Sequence, residues 1–184
     1  MALLNLKFLF LFFFSVLTQE NEPVISWNPS NKITWSDFKG KPIVNSDAVA
    51  TTASGITFGF SITQKSNNDV VAFTTEVNAH FYPKQSWYKV ERADAHILDH
   101  ERLHFDITEL YARKFRYRIG LLKVSNSIKK QLQKMHNDIN SELAEMQDKY
   151  DSETDFSRNF TSQALWKAYI DAELKKYDKY LYVN

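Results

Sequence analysis

Residues 94–110 read DAHILDHERLHFDITEL, and they sit inside a stretch, 93–119, that contains neither Gly nor Pro. Leu103, Ile107, Leu110 and Tyr111 recur at three- and four-residue intervals, the period of a helix with one buried face. Gly120 supplies the stop. On such a helix His100 and His104 are four positions apart, hence only about 40° apart around the axis, and project from one face a turn apart. Two imidazoles so placed can reach one ion at about 2.0–2.1 Å. Glu101 lies about 100° round from His100. It is too far round for a third bond to the same ion, but well placed to take a proton from a water bound there. Thr108 falls on the same side, one turn beyond His104.

The pattern N-terminal to this helix is different. Ile56, Phe58, Phe60 and Ile62 alternate with Thr57, Gly59, Ser61 and Thr63, a period of two with one apolar face. Val71, Phe73, Thr75, Val77, Ala79 and Phe81 continue that alternation after the turn residues KSNND, 65–69. The two runs predict an antiparallel pair. Shorter strands are expected at Val24–Trp27 and Lys32–Trp35, on either side of the turn sequence NPSN. Ser36 is expected to cap one helical turn over Asp37–Lys39, ended by Gly40.

C-terminal to the motif, Ile128, Leu132, Met135, Ile139, Leu143 and Met146 form the apolar stripe of a second helix, expected from about Ser125 to Lys149. YDSETDFSRN, 150–159, reads as a loop. A third helix is expected over Thr161–Tyr177, with Leu165, Trp166, Tyr169, Ile170 and Leu174 inward. Strands followed by helices define an α+β fold, with an N-terminal antiparallel β region followed by long helices. The placement of the motif on the first long helix is the zincin-like arrangement.

Composition narrows the function classes. Lys and Arg number 23 against 22 Asp and Glu, a net charge of +1. That balance offers no electrostatic attraction to nucleic acid or to an anionic membrane. Lys7 followed by FLFLFFFSVL, 8–17, and then by the polar TQENEP has the layout of a secretory signal peptide. The apolar run is about half the roughly 20 residues of a membrane span. Residues 1–20 are therefore expected to be a signal peptide and residues 21–184 one domain, secreted or periplasmic, with no membrane span in the mature chain. The chain has 0 Cys, so a metal site can draw only on nitrogen and oxygen ligands, and no lipid-modified cysteine is available.

Three stretches resemble one known family. SWNPSNKITWSDFKGKP at 26–42, HERLHFDITELYARKFR at 100–116 and YDSETDFSRNFTSQALW at 150–166 are similar to the signatures of a bacterial family of secreted proteins of unknown function, described as zinc-dependent proteases on the strength of the motif. The resemblance implies His100 and His104 as zinc ligands and Glu101 as the catalytic acid/base. Many relatives carry His followed by Gly in the third stretch, where this chain has Asp155, Phe156 and Ser157. A catalytic zinc takes three protein ligands and leaves one position open. The resemblance makes Asp155 the expected third ligand here.

Glu153, Asp151, Glu109, His80 and His96 remain as alternatives. His96 precedes His100 by one turn, and three histidines in line along a helix converge poorly on one ion. His80 falls on the polar face of its strand, and His136 in a polar patch expected to be solvated. Glu109 faces almost opposite His100 and is better placed to pair with Arg113. Asn159-Phe160-Thr161 matches a glycosylation sequon, which carries meaning only in a eukaryotic secretory pathway. The expected function is a zinc-dependent hydrolase, a metallopeptidase with a peptide or protein substrate. In it Glu101 points toward site and solvent and moves the proton of an activated water. The alternative is a non-catalytic envelope protein, zinc-binding or metal-free, on the same scaffold.

Overall fold

The computed structural model describes residues 23–182. The expected signal peptide lies outside the described residues. The order is β1 (Ile25–Ser26), a 3-10 turn (Trp35–Asp37), β2 (Ala50–Thr51), β3 (Ser54–Gln64), β4 (Val70–Phe81), β5 (Trp87–Tyr88), α1 (Ala95–Ile119), α2 (Ile128–Glu153), α3 (Phe160–Lys176) and a final 3-10 turn (Asp178–Tyr180). The fold is α+β, an antiparallel sheet followed by three helices. No helix among the described residues is long and apolar enough to cross a membrane.

The hairpin predicted from the alternation forms as β3 and β4. Its register sets Ile56 against Ala79, Phe58 against Val77, Phe60 against Thr75 and Ile62 against Phe73, so the apolar residues of both strands share one face. The register slips between Thr63 and Gln64, where Gln64 pairs with Val70. Val71 is the extra residue, 40% exposed, and Val70 packs against the core in its place. β1 joins the other side of β4, giving the order β1-β4-β3, while β2 and β5 form a separate two-stranded ribbon.

The expected strand at Lys32–Trp35 is absent. Ile33 is buried, but the chain turns at Trp35 because the Asp37 carboxylate reaches back to the Thr34 amide at 2.7 Å and the Thr34 hydroxyl at 2.9 Å. Thr34, not Ser36, therefore opens this short turn. Trp35 stacks on Tyr88 at 4.5 Å, tying the segment to the β2–β5 ribbon. Gly40 follows where a side chain cannot fit. A Cβ there would stand 2.8 Å from the Ser86 carbonyl oxygen and 2.9 Å from that of Lys84.

α1 lies across the apolar face of the hairpin. Asp94 caps it by accepting from the Ile97 amide at 2.8 Å, and Gly120 follows its last turn. Leu103, Ile107, Leu110 and Tyr111 are all buried, as their spacing requires. Phe115 meets Phe58 at 4.9 Å and Phe105 meets Phe81 at 5.9 Å, the joints between helix and sheet. Each such side chain taken from water contributes roughly 1.5–3 kcal/mol.

α2 packs on α1 through Ile128, Leu132, Ile139, Leu143 and Tyr150. It runs a turn further than expected, through Glu153, because Tyr150 continues the stripe seven positions after Leu143 and is fully buried. Asn159 caps the start of α3, its side chain accepting from the Ser162 amide at 3.0 Å. Its buried stripe is narrow, Gln163, Trp166, Ile170 and Leu174. Leu165 and Tyr169, expected inward, fall off that stripe and are 67% and 44% exposed. His136, expected in solvent, is half-buried instead, 5.2 Å from the Phe58 ring and 5.9 Å from Phe115.

Candidate metal centre

α1 and α2 bring three side chains to one point. The Nε2 atoms of His100 and His104 are 3.2 Å apart, and Asp151 Oδ1 lies 3.0 Å from the first and 2.9 Å from the second. Among the described residues this is the one group of three His, Asp or Glu side chains close enough to share a cation. Three ligand atoms around a tetrahedral ion with bonds of about 2.0–2.1 Å stand roughly 3.3 Å from one another. The observed triangle needs only a slight opening to match that.

Helix geometry fixes each corner. His100 and His104 share a face of α1 by their four-residue spacing. Asp151 faces them from α2, four residues after Gln147 and one after Tyr150. The Tyr150 ring lies under both imidazoles, stacked on His100 at 4.5 Å and edge-on to His104 at 4.9 Å. Its hydroxyl donates to the His100 carbonyl at 3.4 Å, and Trp166 backs the ring at 5.3 Å. α1 and α2 are thus joined by packing as well as by the polar contacts. His100 is 4% exposed, whereas the Asp151 side chain is 31% exposed, so solvent reaches the cluster from the Asp151 side.

The charges are coupled. Burial disfavours the His104 imidazolium, yet the Asp151 carboxylate, the nearby Glu101 charge and Gln147 outweigh burial and raise the His104 pKa above its ordinary 6.5. Burial likewise opposes ionisation of Asp151, but hydrogen bonds from both histidines hold its carboxyl well below the usual carboxylate range. Glu101 is 4% exposed, and its buried Oε2 has no hydrogen-bond partner. It was expected to face solvent as well as the site. In the segment after β2, the Thr52 hydroxyl donates to the Glu101 backbone carbonyl oxygen at 3.3 Å. An unpaired acceptor held out of water is a costly arrangement that calls for a partner.

The structure does not bring Asp155 to the histidines. Its carboxylate is turned outward to Arg158, with contacts of 3.0 and 2.5 Å. Asp155, Phe156 and Ser157 have φ of 50°, 51° and 72°, a left-handed turn that carries the chain away from the site. Asp151 takes the position because α2 continues through it. Glu153 accepts from the Trp166 indole at 3.0 Å, and Glu109 is buried against Arg113 at 2.9 Å and Arg116 at 3.1 Å. His80 lies on the sheet face opposite α1, 3.3 Å from the Ser26 hydroxyl, with its pKa lowered by burial against the opposing effect of Glu76. His96 donates from Nε2 to the Ser157 carbonyl at 2.7 Å and stacks on Phe160 at 3.6 Å, a strut for the turn after α2.

An α+β scaffold that buries a helical His-Glu-x-x-His motif opposite an aspartate on the next helix is the class of protein defined to this point. The chain belongs to the bacterial family described as "Bacterial protein of unknown function (DUF922)", whose profile matches residues 39–158, well over half of the chain. That span contains α1, α2 and the left-handed turn. No curated protein and no solved structure matches the chain.

Proposed function

We propose that this chain is a zinc-dependent hydrolase with a zincin-like site, a metallopeptidase acting outside the cytoplasm. The observation that carries the reading is the triangle of His100 Nε2, His104 Nε2 and Asp151 Oδ1, with edges of 2.9–3.2 Å, beside a buried Glu101 that has an unpaired oxygen. Two imidazoles and one carboxylate are a donor set that catalytic zinc uses, with the fourth position left for water or substrate. The apolar run at 8–17 supports a location beyond the cytoplasm.

Zinc held by His100, His104 and Asp151 would supply Lewis acidity for polarising a carbonyl and acidifying water. The chain's own groups do the rest. His100, His104 and Asp151 neutralise and orient. The Glu101 carboxylate would take a proton and return it to the leaving amine. Its burial keeps bulk water from competing for that proton. The Tyr150 platform keeps the imidazole planes fixed through turnover.

The test combines metal analysis with turnover. Purified mature protein should hold one zinc per chain and cleave members of a broad peptide library, and His104→Ala should lose both. A wild type without bound zinc would refute the reading. One observation favours a second reading, a metal-stabilised envelope protein without catalysis: His100 and Glu101 are each only 4% exposed, as in a closed structural site. Tight zinc, a large loss of thermal stability on chelation and no cleavage of any peptide would select it.

A further inference from the structure

We infer that Gln147 is a positioning residue that sets the His104 tautomer for metal binding, an inference that rests on the zinc reading above. Gln147 stands on α2 one turn before Asp151. Its side-chain nitrogen donates to the His104 carbonyl oxygen at 2.9 Å and to Thr108 Oγ1 at 3.2 Å. Both amide hydrogens are thereby used, and the orientation of the amide is fixed. Thr108, fully buried, is held in turn by the Ser54 hydroxyl at 2.7 Å and by the His104 carbonyl at 3.2 Å.

This leaves Gln147 Oε1 facing His104 Nδ1, with which it makes a hydrogen bond. An amide oxygen can only accept, so Nδ1 must carry hydrogen. A neutral imidazole has one N–H. In the neutral ring Nε2 is then the bare nitrogen, facing His100 Nε2 at 3.2 Å, which can donate to it, and the corner where a cation would sit; its donation to Asp151 Oδ1 at 2.9 Å belongs to the charged ring. A ligand histidine whose other nitrogen donates to a fixed acceptor is the arrangement that raises affinity and fixes ring orientation.

His100 shows the contrast. Its Nδ1 is buried and has no hydrogen-bond partner, so nothing selects its tautomer except the cluster itself. The two motif histidines are unequal: His104 is preset as a ligand, and His100 adapts. The device spans both helices and the start of β3, so it also couples the ligand geometry to the packing of α1 on α2.

The experiment is nitrogen NMR of ¹⁵N-histidine-labelled mature protein, stripped of metal, at a pH where His104 is neutral. It is joined with a zinc titration of the same sample. The wild type should show His104 as the Nδ1–H tautomer. Gln147→Met, similar in size but without a strong acceptor, should lose that preference and bind zinc roughly 10–100-fold more weakly. Gln147→Leu, which also removes the acceptor, is read in the same way and covers the case in which the methionine variant fails to fold. A wild-type His104 protonated on Nε2 overturns the inference, as does a Gln147→Met variant with unchanged tautomer and zinc affinity. A wild type with the expected tautomer that takes up no zinc overturns the zinc reading and leaves the tautomer clamp standing.

Discussion

His104 Nε2 and Asp151 Oδ1 lie 2.9 Å apart across 47 residues of sequence. That contact closes the site, and it makes Asp151, not Asp155, the residue whose loss should matter. Asp151→Ala should reduce zinc affinity by more than the roughly 10–100-fold typical of an outer-sphere partner. Asp155→Asn should leave zinc content unchanged, because that carboxylate serves only Arg158. Elemental analysis after dialysis against a weak chelator separates the two. Full zinc occupancy in Asp151→Ala would remove the aspartate from the ligand set.

Glu101→Gln tests catalysis apart from binding. The amide keeps the size of the buried carboxylate but cannot take a proton. Zinc should stay, since the three corners of the triangle are untouched, and turnover should fall by roughly 10² to 10⁴. Loss of zinc along with activity would mean that Glu101 holds the site together. Unchanged turnover would rule it out as the base.

The pH dependence has opposite signs with and without metal. In metal-free protein His104 has a pKa above its ordinary 6.5 and Asp151 one below its ordinary 3.8. The His104 contribution to stability is complete below 6.5 and is lost as pH rises through its higher folded value. The Asp151 contribution is complete above 3.8 and is lost as pH falls through its lower folded value. Metal-free stability from this pair is therefore greatest between 3.8 and 6.5. Zinc must displace the His104 proton, so zinc affinity should rise with pH across the His104 titration. Thermal melts of both forms from pH 4 to pH 9 would show the two trends diverge. Parallel trends would mean that His104 does not exchange its proton for the metal.

The sequence carries the scaffold plainly and the site in part. The alternation at 56–62 and 71–81 forces a hairpin with one apolar face, because a one-residue slip would turn every side chain over. The spacing of His100 and His104 is a local property of one helix, so it is visible without the fold. Asp151 is a tertiary fact. The polar run YDSE reads as the start of a loop, and only Tyr150, falling in step with Leu143, signals that α2 continues and that Asp151 faces inward. The unpaired Glu101 oxygen and the clamp at Gln147 depend on how helices dock, which spacing along one helix cannot encode. The turn at 155–157 is likewise hidden, since left-handed backbone normally advertises itself with Gly, and none is present there.

That turn supplies the last prediction. Asp155, Phe156 and Ser157 all have positive φ without being Gly. Each left-handed residue with a Cβ costs roughly 1–2 kcal/mol. Gly would remove that cost at Ser157 while adding roughly 0.5–1 kcal/mol of unfolded-state entropy. The net should be a gain of about 0.5–1 kcal/mol, a rise in Tm of about 1–4 °C for a domain of this size. Ser157 is the cleaner choice, because the bond from His96 goes to its backbone carbonyl and survives the change. At Phe156, 62% exposed, Gly would also remove an exposed ring. Asp155 is less clean, since its side chain holds Arg158. Zinc content should not change in Ser157→Gly, as the turn follows the ligand helix and touches no ligand side chain through Ser157's own. Calorimetry of wild type and Ser157→Gly decides the matter. A lower Tm in the variant would mean that the Ser157 side chain stabilises the turn by more than its left-handed backbone costs.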